Sequence, residues 1–488
     1  MPPSPPPAPC GRPITAPQGK WREVPWPFEG SEVTVPLKAG QLWLDSAGPL
    51  TERARWSLYC PRPSSSFRWE WPGPRYLRTA PADARRRWMA EGLEALRTFK
   101  GARSAAVPAE VAQCGWGFGG GLVGMLSYEG ALALQGVNSR HRLTPAPPLS
   151  ALLVHDFYLF DRHARRAWQV GAPPPLEACR QPPLSPAPQP YWRSALDAPQ
   201  WCARVERLRA HIAAGDVFQA NYTMQWHAPF EARNLAALYQ SQRTRVQAPF
   251  GAFYHLPSSP PTANSLNGAK GRGAEFALLA SSVERFIALD RHGWLETRPI
   301  KGTAPRSAQV TTDAQLKAAL AQDPKERAEN LMITDLMRHD LGIVAEAGSV
   351  SVPELLQVES FERVHHLVSA VRARLKAGLD GFDILQMTTP PGSVTGAPKR
   401  RALEIIDALE PESRGAYCGT LFWMDSATGA MDSMVIIRSV AFTGRGEGKG
   451  QLSFGAGGGI TWPSQAEHEW QEALLKAAPF TSASNAPS

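Results

Sequence analysis

Strand-like and helix-like segments alternate along the C-terminal half of the chain, and glycine or proline closes most of them. Apolar residues repeat every second position on a strand and about every 3.6 on a helix, so this alternation commits the chain to a core built from both. Residues 203–214 have helical periodicity through Val205, Leu208 and Ile212, stopped by Gly215. Residues 217–226, 276–280 and 286–290 are predicted strands. Asp323, Pro324 and Glu326 stand in the order of a helix start, with a cap, a first-turn proline and an acid three residues on. Leu331, Met332, Leu336 and Met337 are expected to continue its apolar face. Residues 364–375 follow as a strand, 395–409 as a helix with Leu403, Ile406 and Leu409 on one face, and 419–424, 435–442 and 451–456 as strands. Residues 464–477 are the final predicted helix.

Pro-rich stretches set the larger divisions. Residues 1–28 are a Pro-rich N-terminal segment, and 173–190 are a linker or long surface connection. Between them, 29–190 form the N-terminal part of the fold; 191–480 carry the chemistry, and 481–488 are a tail. A Pro, Ser, Asn and Gly-rich stretch at 257–273 is expected to be a surface loop between two strands. The chain has 488 residues, 43% hydrophobic and 20% charged, enough for a large core. The net charge is +8, with an arginine excess between Arg53 and Arg103, but no nucleic-acid-binding signature accompanies it. The six cysteines (Cys10, Cys60, Cys114, Cys179, Cys202 and Cys418) lack metal-binding spacing, and reduced thiols in a cytoplasm are expected. Met1-Pro2-Pro3-Ser4 is not the start of a signal peptide, and the apolar run 151–160 is broken by His155-Asp156, so no membrane partner is expected.

Lys301 lies in the run Thr297-Arg298-Pro299-Ile300-Lys301-Gly302-Thr303-Ala304-Pro305-Arg306. Pro299 fixes its own φ and Gly302 permits a positive one, so the lysine is pinned at backbone level. A buried lysine so held can act as a nucleophile; the plainer reading is a surface lysine at a strand end. Gly119, Gly121 and Gly124 fit a dinucleotide fingerprint, but strand-like sequence follows them, so such a site is rejected. Glu326 and Glu329 sit near one helix start, where the dipole alone accounts for Glu326. Glu469, Glu472 and Lys476 share one face of the last helix, which by itself suits a solvated ion-paired surface. Together the two acidic faces can make an oxygen-only magnesium site. The runs 391–399 and 454–460 are glycine turns, either flexible or presenting backbone N–H groups to an anion. His365 and His366 point to opposite faces of a strand and cannot share one metal.

Several strings then resemble the chorismate-utilising enzymes: Gly215-Asp216-Val217-Phe218-Gln219-Ala220-Asn221, Ser282-Val283-Glu284-Arg285-Phe286, the Lys301 run, Lys325-Glu326-Arg327-Ala328-Glu329-Asn330, Arg338-His339-Asp340-Leu341-Gly342 and both glycine runs. The resemblance covers nearly the whole chain and is strongest from about residue 203 to 478; Val283 departs from the family's usual proline. It implies an α+β fold of two large, mostly antiparallel sheets packed face to face and flanked by helices. It implies chorismate as substrate and Mg2+ held by Glu329 and Glu472, supported by Glu326 and Glu469. Glu284 is implied as the acid for the leaving hydroxyl, His366 as its neighbour, and Lys301 as the nucleophile. Thr303, Tyr417, Arg438, Gly455, Gly457, Lys476 and Gln219 are implied as substrate-binding residues. Gln219 replaces the lysine with which isochorismate and salicylate synthases activate water. Anthranilate synthase large subunits read Pro-Ile-Ala-Gly-Thr where this chain has Lys301, and the lysine marks the branch that aminates chorismate at C4. No cysteine sits in a Gly-x-Cys-x-Gly elbow, so a separate glutamine amidotransferase subunit is the implied ammonia donor. Residues 42–46 resemble the element with which relatives hold tryptophan. Two alternatives stand beside this reading: anthranilate synthase component I, and a non-catalytic chorismate- or tryptophan-binding regulatory protein.

Overall fold

A computed structural model describes residues 20–481 apart from 31, 49–53, 74–75, 142–145, 177–186, 259–273 and 361–363. Much of the Pro-rich N-terminal segment, the 173–190 connection, the 257–273 loop and the tail therefore lies outside the described residues. The rest forms two sheets. A 12-stranded sheet runs from Trp21–Val24 at one edge to Gly396–Ala397 at the other, and a 10-stranded sheet runs from Ile300–Pro305 to Ser65–Trp69. Every pairing among the described strands is antiparallel. Strands from both sides of residue 190 interleave: Leu42–Asp45 pairs with Phe250–Leu256, and Gly121–Leu126 with Thr420–Asp425. The expected α+β architecture of two sheets flanked by helices is the one observed.

Strand alternation builds three apolar layers. On Gly121–Leu126, Leu122 and Leu126 face outward to helices, whereas Val123 and Met125 face the other sheet. The inter-sheet layer also holds Leu58, Leu159 and Leu278 of the first sheet with Leu152 and Leu421 of the second. Outside the first sheet pack Ala198–Ala213, Leu235–Val246, Lys399–Leu409 and Ala466–Thr481; outside the second pack Ala82–Lys100, Tyr128–Leu134, Pro324–Val344 and Gly381–Thr388. Each fully buried Leu, Ile or Phe in these layers contributes roughly 1.5–3 kcal/mol relative to exposure. No described helix is long and apolar enough to cross a membrane.

The helix at Pro324–Val344 starts as expected, with Asp323 accepting from Lys325 N at 2.9 Å and Glu326 N at 3.0 Å. Its buried face differs: Ile333, Leu336, Met337, Leu341 and Val344 are inside, while Leu331 is exposed. The helix expected at 203–214 begins at Ala198, because Asp197 and Gln200 form a capping box and Trp201 already packs in the core. The helix expected from 395 begins at Lys399. Pro398 blocks its extension, and Gly396–Ala397 pairs as a strand with Gln219 and Ala220 instead. The glycines after residue 456 form no turn; the strand Lys449–Ile460 runs straight through them. The strand expected at 435–442 is two strands in different sheets, Met431–Val435 and Val440–Gly446. As for the dinucleotide fingerprint, its glycines open a strand rather than follow one, in keeping with its rejection.

Candidate active site

Two neighbouring crossings between the sheets bring the chemical groups together. Phe276–Ser282 lies in the first sheet and Arg285–Leu289 in the second, so the chain changes sheets at Val283 and Glu284. It passes back at residues 436–439, where Arg438 has a φ of 49°. A left-handed conformation costs a non-glycine residue about 1–3 kcal/mol, so its surroundings must hold it. The crossings are tied to each other: Val435 N donates to Glu284 O at 3.1 Å, and Ser282 Oγ donates to Val435 O at 2.6 Å. Burial lifts the Glu284 carboxyl above its ordinary value, opposed by the nearby Ser393 hydroxyl and the Lys301 charge. Ser393 lies close enough to have this effect, although its Oγ completes no hydrogen bond of normal geometry.

Lys301 sits on the edge strand Ile300–Pro305. The register with Val364–Arg374 shifts between Ile300 and Thr303, which leaves Lys301 and Gly302 in a bulge. Gly302 has a φ of 84°, and a Cβ there would lie 3.1 Å from Glu326 Oε2 and Leu320 Cδ1. The pinning is as expected, but the burial is not: Lys301 is half-buried, because an edge bulge faces the cleft rather than the core. Its charge acts on Glu284, Glu326, Glu472 and Lys476, which come from a crossing and two different helices. On the neighbouring strand His366 lies opposite Thr303, with Thr303 Oγ1 2.9 Å from His366 Nδ1. His365 points the other way, buried against Ser360 at 2.9 Å and Asp313 at 3.1 Å, a structural role as its alternation implies.

The two acidic helix faces meet at this cleft. Lys325 lies 3.9 Å from Glu329, and its charge also reaches Glu469 and Glu472 on the last helix. Lys476 Nζ lies 2.6 Å from Glu472 and donates to Gly457 O at 2.8 Å. A Cβ on Gly458 would lie 3.1 Å from Glu469 Oε2 and 3.8 Å from Glu472 Oε1, so the glycine makes room for these acids. Burial raises the Glu326 and Glu469 carboxyls. At Glu472 burial is outweighed by the Lys476 charge and hydrogen bond, and the carboxyl falls below its ordinary value. Among the described residues no three His, Cys, Asp or Glu form a metal cage. The donor set suits a hard divalent cation only if substrate and water oxygens complete it.

Tyr417, Arg438 and the glycine strand lie beside these acids. A Cβ on Gly455 would fall 2.3 Å from Tyr417 Cδ1, so only glycine admits that ring. Arg438 acts electrostatically on Lys476, and Tyr417 on Arg438. Pairing with Val440–Gly446 ends at Ala441 and Ser453, so 454–460 has strand partners on one side only. Gln219 is buried, and a Cβ on Gly459 would lie 2.9 Å from its Nε2. In the 391–399 run the Gly392 N–H is taken by a carboxylate of the protein itself. Gly392 N already donates to Asp340 at 3.1 Å, and Lys399 Nζ pairs with Asp340 at 2.6 Å. Ser393 was missed as an individual residue by sequence reasoning; its place within a glycine-bounded turn was the available signal. Leu44, Asp45 and Ser46 line a separate cavity of about 980 Å³ between the sheets, with Trp56, Trp116, Arg298 and Trp423 among its other walls.

Residues 67–482 match a family described as chorismate binding enzyme. The chain is 38% identical over 373 residues to aminodeoxychorismate synthase component 1 of Klebsiella aerogenes, covering 74% of this chain and 76% of that one. It is 42% identical over 285 residues to the Salmonella typhimurium protein of the same name, covering 58% of this chain and 57% of that one. Among solved structures, anthranilate synthase component I from Streptococcus pneumoniae matches with a TM-score of 0.66 at 24% identity, covering 88% of this chain and 92% of that one.

Proposed function

The chain belongs to the chorismate binding enzyme family, and from that premise we propose that it aminates chorismate at C4. Ammonia comes from a separate glutamine amidotransferase, and the product is 4-amino-4-deoxychorismate, the precursor of p-aminobenzoate and folate. One observation carries the reading: Lys301, held in a bulge, lies within electrostatic reach of Glu284 and of both acidic helices. Anthranilate formation is the weaker alternative because that branch has alanine at this position.

In this mechanism the unprotonated Lys301 amine bonds to C2 as the C4–O bond breaks. Glu284 gives its proton to the departing hydroxyl, which leaves as water; its raised pKa suits that role. Ammonia then bonds to C4 as the C2–Nζ bond breaks, freeing Lys301 as an amine. The new ammonium group returns a proton to Glu284, and His366 flanks the leaving oxygen. Arg438 and Tyr417 hold the enolpyruvyl carboxylate, a planar anion that suits a guanidinium. Glu329 and Glu472, supported by Glu326 and Glu469, would hold Mg2+, which when bound polarises the ring carboxylate. Lys476, Thr303, Gly455 and Gly457 contact the substrate, and Gln219 leaves water without a general base. The cavity at Leu44–Ser46 is where a tryptophan would sit.

The test uses the purified chain with chorismate and magnesium. Ammonium salt at raised pH, where free NH₃ is available, is expected to support turnover, and glutamine is not. Adding a glutamine amidotransferase subunit confers glutamine use. Glutamine-dependent turnover by the chain alone would contradict this reading. In the same assay Glu329→Gln and Glu472→Gln each raise the magnesium needed for half-maximal rate by at least about tenfold, because hard cations need anionic oxygens. Glu326→Gln does less. Equal losses in all three, indifferent to magnesium, would count against a shared metal site.

A further inference from the structure

Beside the proposed site lies a buried ionic network that holds three of the site's segments. Its centre is Arg414, whose side chain is 1% exposed. Its guanidinium donates from Nε to Glu410 Oε2 at 2.9 Å and from Nη2 to Glu410 Oε1 at 2.6 Å. Nη1 donates to Val394 O at 2.8 Å, and Nη2 also donates to Asn221 O at 2.7 Å. The plane lies 4.6 Å over the Tyr128 ring. Glu410 Oε1 also accepts from Thr223 N at 2.8 Å and Oγ1 at 2.7 Å. Glu129 takes the backbone N–H groups of Arg414 at 2.8 Å and Gly415 at 2.9 Å, which fixes the turn leading into Tyr417.

The segments so joined carry chemistry. Val394 follows Ser393, the buried hydroxyl beside Glu284 that completes no hydrogen bond of its own. Asn221 lies two residues beyond Gln219 on the strand that pairs with the glycine run. The turn at 414–415 precedes Tyr417. The same Ser393 turn is held at its other end by Asp340 and Lys399, which bind Gly392 N and Thr388 O. We propose that Arg414 is a positioning residue for the reaction: its guanidinium holds the Ser393 turn beside Glu284 through the Val394 carbonyl, while Glu129 takes its backbone N–H and that of Gly415 and so sets the turn into Tyr417. This rests on the proposed function for what the site does, not for how it is held. Lysine cannot replace the arginine, since a single ammonium cannot span two carbonyls and both oxygens of a carboxylate.

The charged and titratable groups facing Glu284 are Lys301 and Cys418, with Ser393 as the hydroxyl. Those facing Arg414 are Glu410, Tyr128, Cys418, Tyr417 and Glu129, the last with its carboxyl pushed up to about 7 by burial. Withdrawing the Ser393 hydroxyl removes a group that favours the Glu284 carboxylate, so the Glu284 pKa rises further.

The experiment is a double-mutant cycle on Arg414→Lys and Ser393→Ala, reading chorismate consumption against pH at a fixed, saturating concentration of free ammonia. Each single change is expected to lower kcat on the order of tenfold, in line with a small misplacement of a reacting group. Each moves the high-pH limb of the rate upward. The double variant is expected to be no worse than the more severe single one, because both act through one contact. Folded Arg414→Lys protein with wild-type kcat and limb overturns the proposal, as do effects that multiply. If Arg414→Lys does not fold, Glu410→Gln loosens the same fork while keeping the arginine, and the same non-additivity with Ser393→Ala is required of it. The cycle is read on chorismate consumption, so an enzyme making anthranilate would sink the proposed function and leave this test intact.

Discussion

Lys301→Ala stays folded and loses C4-aminated product by at least about 10³-fold, equivalent to about 4 kcal/mol of transition-state stabilisation. It should fold because Lys301 is half-buried in an edge-strand bulge, and alanine removes side-chain atoms but no backbone ladder bond. Activity goes because no other lysine shares this position. Lys476 is committed to Glu472 at 2.6 Å and to Gly457 O at 2.8 Å. The residual turnover is expected to shift toward anthranilate, as ammonia reaches C2 with no lysine in the way. Intact-protein mass after an acid quench provides the direct check: a chorismate-derived adduct on the wild type and none on the variant. Aminated product at the wild-type rate would show that Lys301 is not the nucleophile.

Glu284→Gln is expected to lower the rate of adduct formation by roughly 10²–10⁴-fold, the usual size of a lost general acid. The hydroxyl then has to leave without a proton, since an amide cannot supply one. The pH dependence has a definite sign. An acid must be protonated to work, and burial raises this carboxyl above its ordinary value. The contribution of this acid to the wild-type rate is therefore full below the raised pKa and is lost as pH climbs through it. Free ammonia rises over the same range, so the limb should be read on single-turnover adduct formation, where no ammonia is needed. The variant is expected to lack this limb. A limb of unchanged position in Glu284→Gln would assign the proton to another group.

The parts of the fold legible in sequence were those written in local chemistry. The cap of Pro324–Val344 depends on Asp323, Pro324 and the next two residues, all within one turn. The bulge at Lys301 is foreshadowed by Pro299 and Gly302. What could not be read was where an apolar run changes sheets. Residues 435–442 are strand-like, and nothing local says that Val435 pairs with Thr420 in one sheet and Val440 with Leu279 in the other. The break is imposed by the first crossing at Glu284, some 150 residues earlier, through the Val435 N to Glu284 O bond. The glycine run 454–460 reads locally as a turn, flexible or anion-binding, and is a strand for a similar reason. Its missing side chains make room for Tyr417, Thr223 and Gln219, distant in sequence, and for Glu469 on the following helix. The Arg414 fork is likewise closed by the Asn221 and Val394 carbonyls, which no spacing rule connects to it.

The central claim is that this chain aminates chorismate at C4, and the identity of the product tests it most directly. Wild-type protein with chorismate, magnesium and ammonium salt, analysed by chromatography and mass spectrometry, is expected to give 4-amino-4-deoxychorismate with its enolpyruvyl group intact. Anthranilate and pyruvate as the main products, with Lys301 present and the protein folded, would contradict the account.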